Sequence, residues 1–233
     1  MTEWWTYRLS DLLMFSARTY YRMFEIYNAE VWPGHLAALG VGAAIVVVST
    51  RRSAWAARVA CALLALCWFW VAWALLWQRY APVNWAAEWF AAAWAIEGAL
   101  LLLCASFWKQ VRVDARSGPA RSVGFGLALF ALAVQPLLGM LFGRPWQQAE
   151  VFGLAPDPTA IFTLGQLLLL RPIHDRSDAA SMPAPAWVLW PIPLAWSLVG
   201  AATLWTMKAP DAWLMPCAVV LVLFAARRSS RYP

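Results

Sequence analysis

Glu97 stands at the middle of the segment AAAWAIEGALLLL, with no other charged residue within eight positions on either side. A carboxylate among so many apolar side chains costs at least ~2.5 kcal/mol if the segment lies in a bilayer, so such a group faces a protein interior or a cavity and marks a site. No Lys or Arg stands inside a neighbouring apolar segment to pair with it. Glu97 is therefore expected to work as a hydrogen-bond donor or proton carrier. Counting about 1.5 Å of rise per residue from the segment ends puts Gln135, Gln166 and Ser197 near the same depth. The four are expected to form one polar layer, a solute-binding or proton-coupled site.

A second constellation is VFGLAPDPTAIFTLG, residues 151–165. Asp157 reads as a helix N-cap, Pro158 as the first helical position, and Thr159 follows. The helix is short and ends at Arg171-Pro172. A short helix starting inside a bundle points free N–H groups and the positive end of its dipole into the protein. Membrane transporters use broken helices in this way to hold polar solutes.

The elements that must position these residues follow from composition. Of 233 residues, 63% are hydrophobic and 13% charged, with a mean hydropathy of +0.58. A soluble domain carries roughly half apolar and a quarter charged residues. The shift excludes a soluble enzyme, a secreted disulfide scaffold and a disordered chain, and leaves an all-α, polytopic membrane helix bundle. Seven apolar segments are readable, at about 35–50, 59–78, 86–108, 123–142, 158–171, 187–207 and 211–226. A crossing wants about 20 residues, so the first, fifth and seventh must lean on flanking residues or a thinned bilayer.

The bases set an orientation. Twelve of the 18 Lys and Arg residues, among them Arg51, Arg58, Lys109, Arg171 and Arg227, fall on one side with only three of the 12 acids. Cytoplasmic loops carry such an excess. The expected topology is bacterial inner membrane, amino terminus outside, carboxyl terminus cytoplasmic. Residues 1–33 carry Leu9, Leu12, Leu13, Tyr20, Phe24, Tyr27 and Val31 near helical spacing among charged side chains and read as an amphipathic helix on the outer face, broken from the bundle by Pro33-Gly34. Residues 34–226 form the bundle, and 227–233 a basic tail.

Most of the 18 tryptophans fall near segment ends and read as two interfacial belts. Trp68, Trp94 and Trp196 lie deeper and suit a cavity wall. Cys61, Cys67, Cys104 and Cys217 sit in apolar stretches without metal-ligand spacing and read as small buried hydrophobes. Ala38-x-x-x-Gly42 and Gly139-x-x-x-Gly143 suit close helix approach. The two histidines, His35 and His174, fall on opposite sides, which excludes a bis-His haem. No Lys lies inside an apolar segment, which excludes a retinal Schiff base. No nucleophile–His–acid set, metal set or phosphate loop is readable, so no catalytic activity, cofactor, metal or nucleic-acid partner is expected.

Two stretches, YNAEVWP at 27–33 and FGLAPDPTAIFTLG at 152–165, resemble a family of bacterial multi-pass membrane proteins, the domain-of-unknown-function family 6064. The resemblance covers nearly the whole chain. It implies a small inner-membrane bundle with no assigned activity and draws attention to Tyr27, Asn28, Trp32, Pro33, Pro156, Pro158, Thr159 and Thr163. Where this chain has Asp157 the family often carries Cys, and where it has Ala160 a second Thr. On the expected topology both stretches lie outside, so the amphipathic helix should cover the mouth of the fifth segment. The functional expectation is a permease or channel-like protein for a small polar solute. The alternative is a non-catalytic subunit of a membrane complex or a homo-oligomer.

Overall fold

The computed structural model describes residues 15–51, 53–107, 111–113, 118–172 and 186–229. Helix α1 (Ala17–Val31) starts at Ser16, whose Oγ accepts from the Thr19 N–H at 3.2 Å. It buries Tyr20, Phe24, Tyr27 and Asn28 along one face and leaves Arg18 and Arg22 outward. That is the amphipathic pattern expected; Leu9, Leu12 and Leu13 of the same reading lie outside the described residues. Helix α2 (Gly34–Val48) leaves at 90° to α1, because the proline ring at Pro33 cannot continue an α-helix.

Helix α3 (Ala54–Trp70) is capped by Ser53 and runs on as a π-helical stretch, Val71–Tyr80. Helix α4 spans Ala87–Phe107. Helix α5 (Pro119–Leu129) continues through a π-helical turn, Phe130–Val134, into α6 (Gln135–Leu141). Pro136 accounts for that turn: it has no N–H for the Leu132 carbonyl, and its ring crowds that carbonyl. Helix α7 is Pro156–Leu169, α8 Pro191–Thr206 and α9 Leu214–Ser229. A two-stranded antiparallel ribbon, β1 (Val111–Val113) with β2 (Leu170–Pro172), pairs Arg112 with Arg171 and ties the segment after α4 to the end of α7.

The chain is an all-α bundle, with a helix in each of the seven apolar segments. Fewer than seven of these helical stretches are long enough to cross a membrane on their own. Four stretches are long and apolar enough to cross a membrane: Ala54–Tyr80, Ala87–Phe107, Pro119–Leu141 and Trp187–Thr206. A fifth is added if the bent α1–α2 pair is taken as one span. Helices α2, α7 and α9 have 15, 14 and 16 residues. At about 1.5 Å per residue they fall short of a hydrocarbon core of about 30 Å. Helix α9 also takes up Arg227 and Arg228, which the sequence places in a separate tail.

Helix α7 is the centre of the bundle. All of its residues from Pro156 to Leu169 are buried. It packs on α5, α8 and α9. Gly124 and Gly165 set the crossing with α5: a Cβ on either would lie 2.6 Å from the other's carbonyl oxygen. The spacing motifs read from the sequence behave differently. Gly42 does permit close approach, since a Cβ there would lie 2.3 Å from Leu132 and 2.9 Å from Phe152. Gly139 instead makes room for the Arg144 guanidinium, and Gly143 ends its helix at φ +79°.

Candidate functional site

Helix α7 begins two residues before the expected position. Ala155 is the N-cap, without a side-chain hydrogen bond, and Pro156 takes the first helical position. Asp157 is thus the second helical residue, and its carboxylate turns to α8 instead of capping: Oδ1 accepts from the Trp196 indole N–H at 2.8 Å. Thr159 ties the preceding turn to the helix. Its Oγ1 accepts from the Gly153 N–H at 2.9 Å and donates to the Ala155 carbonyl at 2.6 Å. Gly153 fits only as glycine, with φ +76° and the Cys67 sulfur 3.2 Å from where a Cβ would stand. The sequence FGLAPDPT is therefore a buried turn feeding a helix.

Two tryptophans from different helices hold α7. Besides the Trp196–Asp157 bond, the Trp68 N–H donates to Thr163 Oγ1 at 2.9 Å. Trp94 stands between them, stacked on Trp68 with centroids 3.8 Å apart and edge-on to Trp196 at 5.2 Å. Trp68 and Trp196 thus line α7, with Trp94 packed against both. Tryptophans 55, 73, 77, 85, 89, 146, 187, 205 and 213 are exposed, as a lipid-facing belt requires; Trp108 lies outside the described residues.

Beside Asp157 lies a buried ionic cluster. Arg144, just after α6, contacts the Asp211 carboxylate through Nη2, and its Nη1 lies 3.9 Å from Glu150 Oε1. The guanidinium also covers the Tyr21 ring at 4.5 Å. Gln135, Glu150, Asp157 and Asp211 line one cavity of about 10 Å³, room for about one water molecule. A second cavity of the same size, lined by Tyr20, Phe24, Pro156 and Trp196, lies on the other side of Asp157. Gln135 Oε1 and Asp211 Oδ1 are buried without a hydrogen-bond partner. Burial, then the Asp157 carboxylate, push the Glu150 carboxyl up to about 8 against the opposing pull of Arg144.

The last value carries a prediction. Glu150 has an ordinary value of 4.5, below its folded value, so folding favours its protonated form. The stabilisation is complete below about pH 4.5 and is lost as pH rises through about 8. Thermal unfolding in detergent should drop across that window in the wild type, and Glu150→Gln should flatten the drop.

The outer-face stretch meets this site. Asn28 Nδ2 donates to the carbonyls of Gln147 and Ala149, at 2.8 and 2.9 Å, and His35 Nε2 lies 3.1 Å from Asn28 Oδ1. The Tyr27 hydroxyl accepts from the Trp70 N–H at 2.8 Å. Trp32 is exposed beside His35. Helix α1 therefore packs over the segment leading into α7, and its Tyr20 and Phe24 reach Pro156 and Asp157 through the second cavity.

The polar layer expected at Glu97 is not assembled. No hydrogen bond joins Glu97, Gln135, Gln166 and Ser197 among the described residues. Gln135 belongs to the Arg144 cluster. Gln166 accepts from Ser49 Oγ at 2.7 Å, at the far end of α7. Ser197 donates back to the Pro193 carbonyl of its own helix at 2.8 Å. Glu97 is fully buried, both carboxyl oxygens lack a partner, and it lines neither cavity. Cys61 and Cys104, 3.6 Å apart, lie between α3 and α4 near it. Cys217, by contrast, is exposed, which corrects the reading of four buried cysteines. A carboxyl with no partner adds nothing that an apolar side chain of similar size lacks. Glu97→Leu is therefore expected to leave the protein as stable as the wild type or to raise its melting temperature.

A family model matches residues 17–232. The chain belongs to DUF6064, a family of unknown function. No curated protein and no solved structure matches it. The DUF6064 match runs from α1 through α9 and takes in both stretches that carried the resemblance.

For this DUF6064 chain, sequence reasoning singled out Asp157, Thr159, Thr163, Gln135 and Asn28, but not Arg144, Glu150, Asp211 or the hydrogen bonds of Trp68 and Trp196. One signal was available. Arg144 follows the fourth apolar segment, Asp211 opens the seventh and Glu150 precedes Asp157, so all four charges fall at the same end of the bundle.

Proposed function

We propose that this chain is a permease or channel-like protein for a small polar solute, neutral or cationic, in a bacterial inner membrane, with its amino terminus outside and its carboxyl terminus in the cytoplasm. One observation carries the reading. Helix α7 is buried along its whole length and starts at a polar cavity, as the broken helices of transporters do. An anion is disfavoured as the solute. Pro156 and Pro158 remove two N–H groups from the first turn, the Asp157 carboxylate occupies that end, and Glu150 and Asp211 outnumber Arg144. Asp157, Gln135, Thr159 and the Arg144 cluster form the outer mouth. Gln166 with Ser49 stands at the inner end. Glu97 takes the part of a buried proton acceptor only if water reaches it during transport.

The test is flux. Purified protein in liposomes is offered small neutral, cationic and anionic solutes in a swelling or tracer assay. Faster entry of neutral or cationic solutes than in protein-free vesicles is expected, falling at least tenfold in Asp157→Asn. Entry no faster than in empty vesicles for every solute sinks the reading.

A second reading, a non-catalytic subunit of a membrane complex or homo-oligomer, draws on the size of the cavities beside Asp157, each with room for one water. Native-size separation of gently solubilised membranes distinguishes it: a larger assembly supports the subunit reading, and a monomer with flux removes it.

A further inference from the structure

Three carboxyl groups and one guanidinium share the cluster at the start of α7. Glu150, Asp157 and Asp211 are 8%, 2% and 6% exposed. One guanidinium balances one carboxylate, and the N-terminus of α7 adds about half a positive charge. The remaining negative charge is buried, which is costly unless a proton neutralises it.

The geometry distinguishes the three acids. Asp211 contacts the guanidinium directly. Asp157 accepts the Trp196 N–H and sits in the first turn of α7. Each of these two acids therefore has a donor of its own. Glu150 lies 3.9 Å from Arg144 Nη1, beyond hydrogen-bond reach, and no other donor reaches it among the described residues. An independent observation points to unfilled hydrogen-bonding places in the cavity, where Arg144 Nε and Nη1 are buried donors without a partner. Gln135, 7% exposed, lines the same cavity with its Oε1 unpartnered, as does Asp211 with its Oδ1. The cavity holds about one water, enough to carry a hydrogen bond from a protonated carboxyl to either acceptor.

We propose that this cluster is a proton-binding site in which Glu150 carries the proton and Arg144, Asp157, Asp211 and Gln135 hold it in place. This rests on the permease reading and names its driving ion. The chemistry is one O–H bond made or broken at Glu150, with the proton exchanged with cavity water. The groups facing Glu150 are Arg144 after α6, Asp157 on α7, Asp211 before α9, and Tyr20 and Tyr21 on α1. Loss of the proton leaves a second carboxylate competing with Asp211 for Arg144. Protonation thereby sets how firmly the start of α9 is held to the end of α6.

Infrared spectroscopy of the full chain in detergent, from about pH 5 to about pH 10, tests this without any solute. The wild type is expected to lose one carboxylic-acid C=O band as pH rises through about 8. That band should be absent in Glu150→Gln and present in Glu97→Gln. A band titrating through about 8 that is unchanged in Glu150→Gln, or no such band in the wild type, overturns the proposal. If Glu150→Gln does not fold, Glu150→Asp replaces it: a displaced midpoint supports the assignment, and an unmoved one overturns it. Titration without flux in vesicles sinks the permease reading alone, whereas flux with no titrating carboxyl sinks the proton site alone.

Discussion

Gly165→Ala is expected to cost about 3 kcal/mol or more, at the upper end of what overpacking does to a core. A Cβ at Gly165 would lie 2.6 Å from the Gly124 carbonyl oxygen, 3.1 Å from Leu127 and 3.3 Å from the Ala128 backbone nitrogen. Two of these neighbours are backbone, so no side chain can turn away. The helices must separate, and α7 has no free side to move towards, since its neighbours enclose it. Gly126→Ala is the control on α5, because nothing lies within 4 Å of its Cβ position; there helix propensity alone predicts a gain of up to about 1 kcal/mol. Thermal unfolding of the two variants in one detergent gives the comparison. Equal melting temperatures for Gly165→Ala and the wild type would mean that the crossing is not set by these glycines.

Arg144→Ala is expected to cost about 3–5 kcal/mol, as removal of one partner of a buried ion pair does. It strands Asp211 and uncovers Tyr21. The loss should be partly recovered by adding Asp211→Asn, which removes the stranded charge, so the double variant should be more stable than Arg144→Ala alone. A loss under about 1 kcal/mol, the usual worth of a solvated surface pair, would show that water reaches the cluster freely.

Apolar runs of the right length announced the helices, and Pro33-Gly34 announced the break between α1 and α2, because both depend on local sequence. The three short segments were legible as short. What the sequence hid was which of them is enclosed: α7 and α9 differ little in length and hydropathy, and only packing makes one the centre. Asp157 was read as a cap, since an Asp before Pro has the sequence signature of one and nothing local reveals a tryptophan arriving from α8. Depth arithmetic grouped Glu97 with Gln135 and Ser197 because depth fixes one coordinate and helix rotation fixes the other. The Arg144 cluster joins residues 67 positions apart, Arg144 and Asp211, and no periodicity encodes such a meeting.

The enclosure of α7 also bears on how the chain is made. A helix that faces protein on all sides gains little from lying in lipid by itself. Its 14 residues are too few to anchor it there, and its first turn carries a carboxylate. It therefore cannot be a stable intermediate in the order in which the chain emerges. Helices α3 to α6 must wait with an open groove, and α8 and α9 must arrive to close it. Assembly of this bundle is consequently a late, cooperative event.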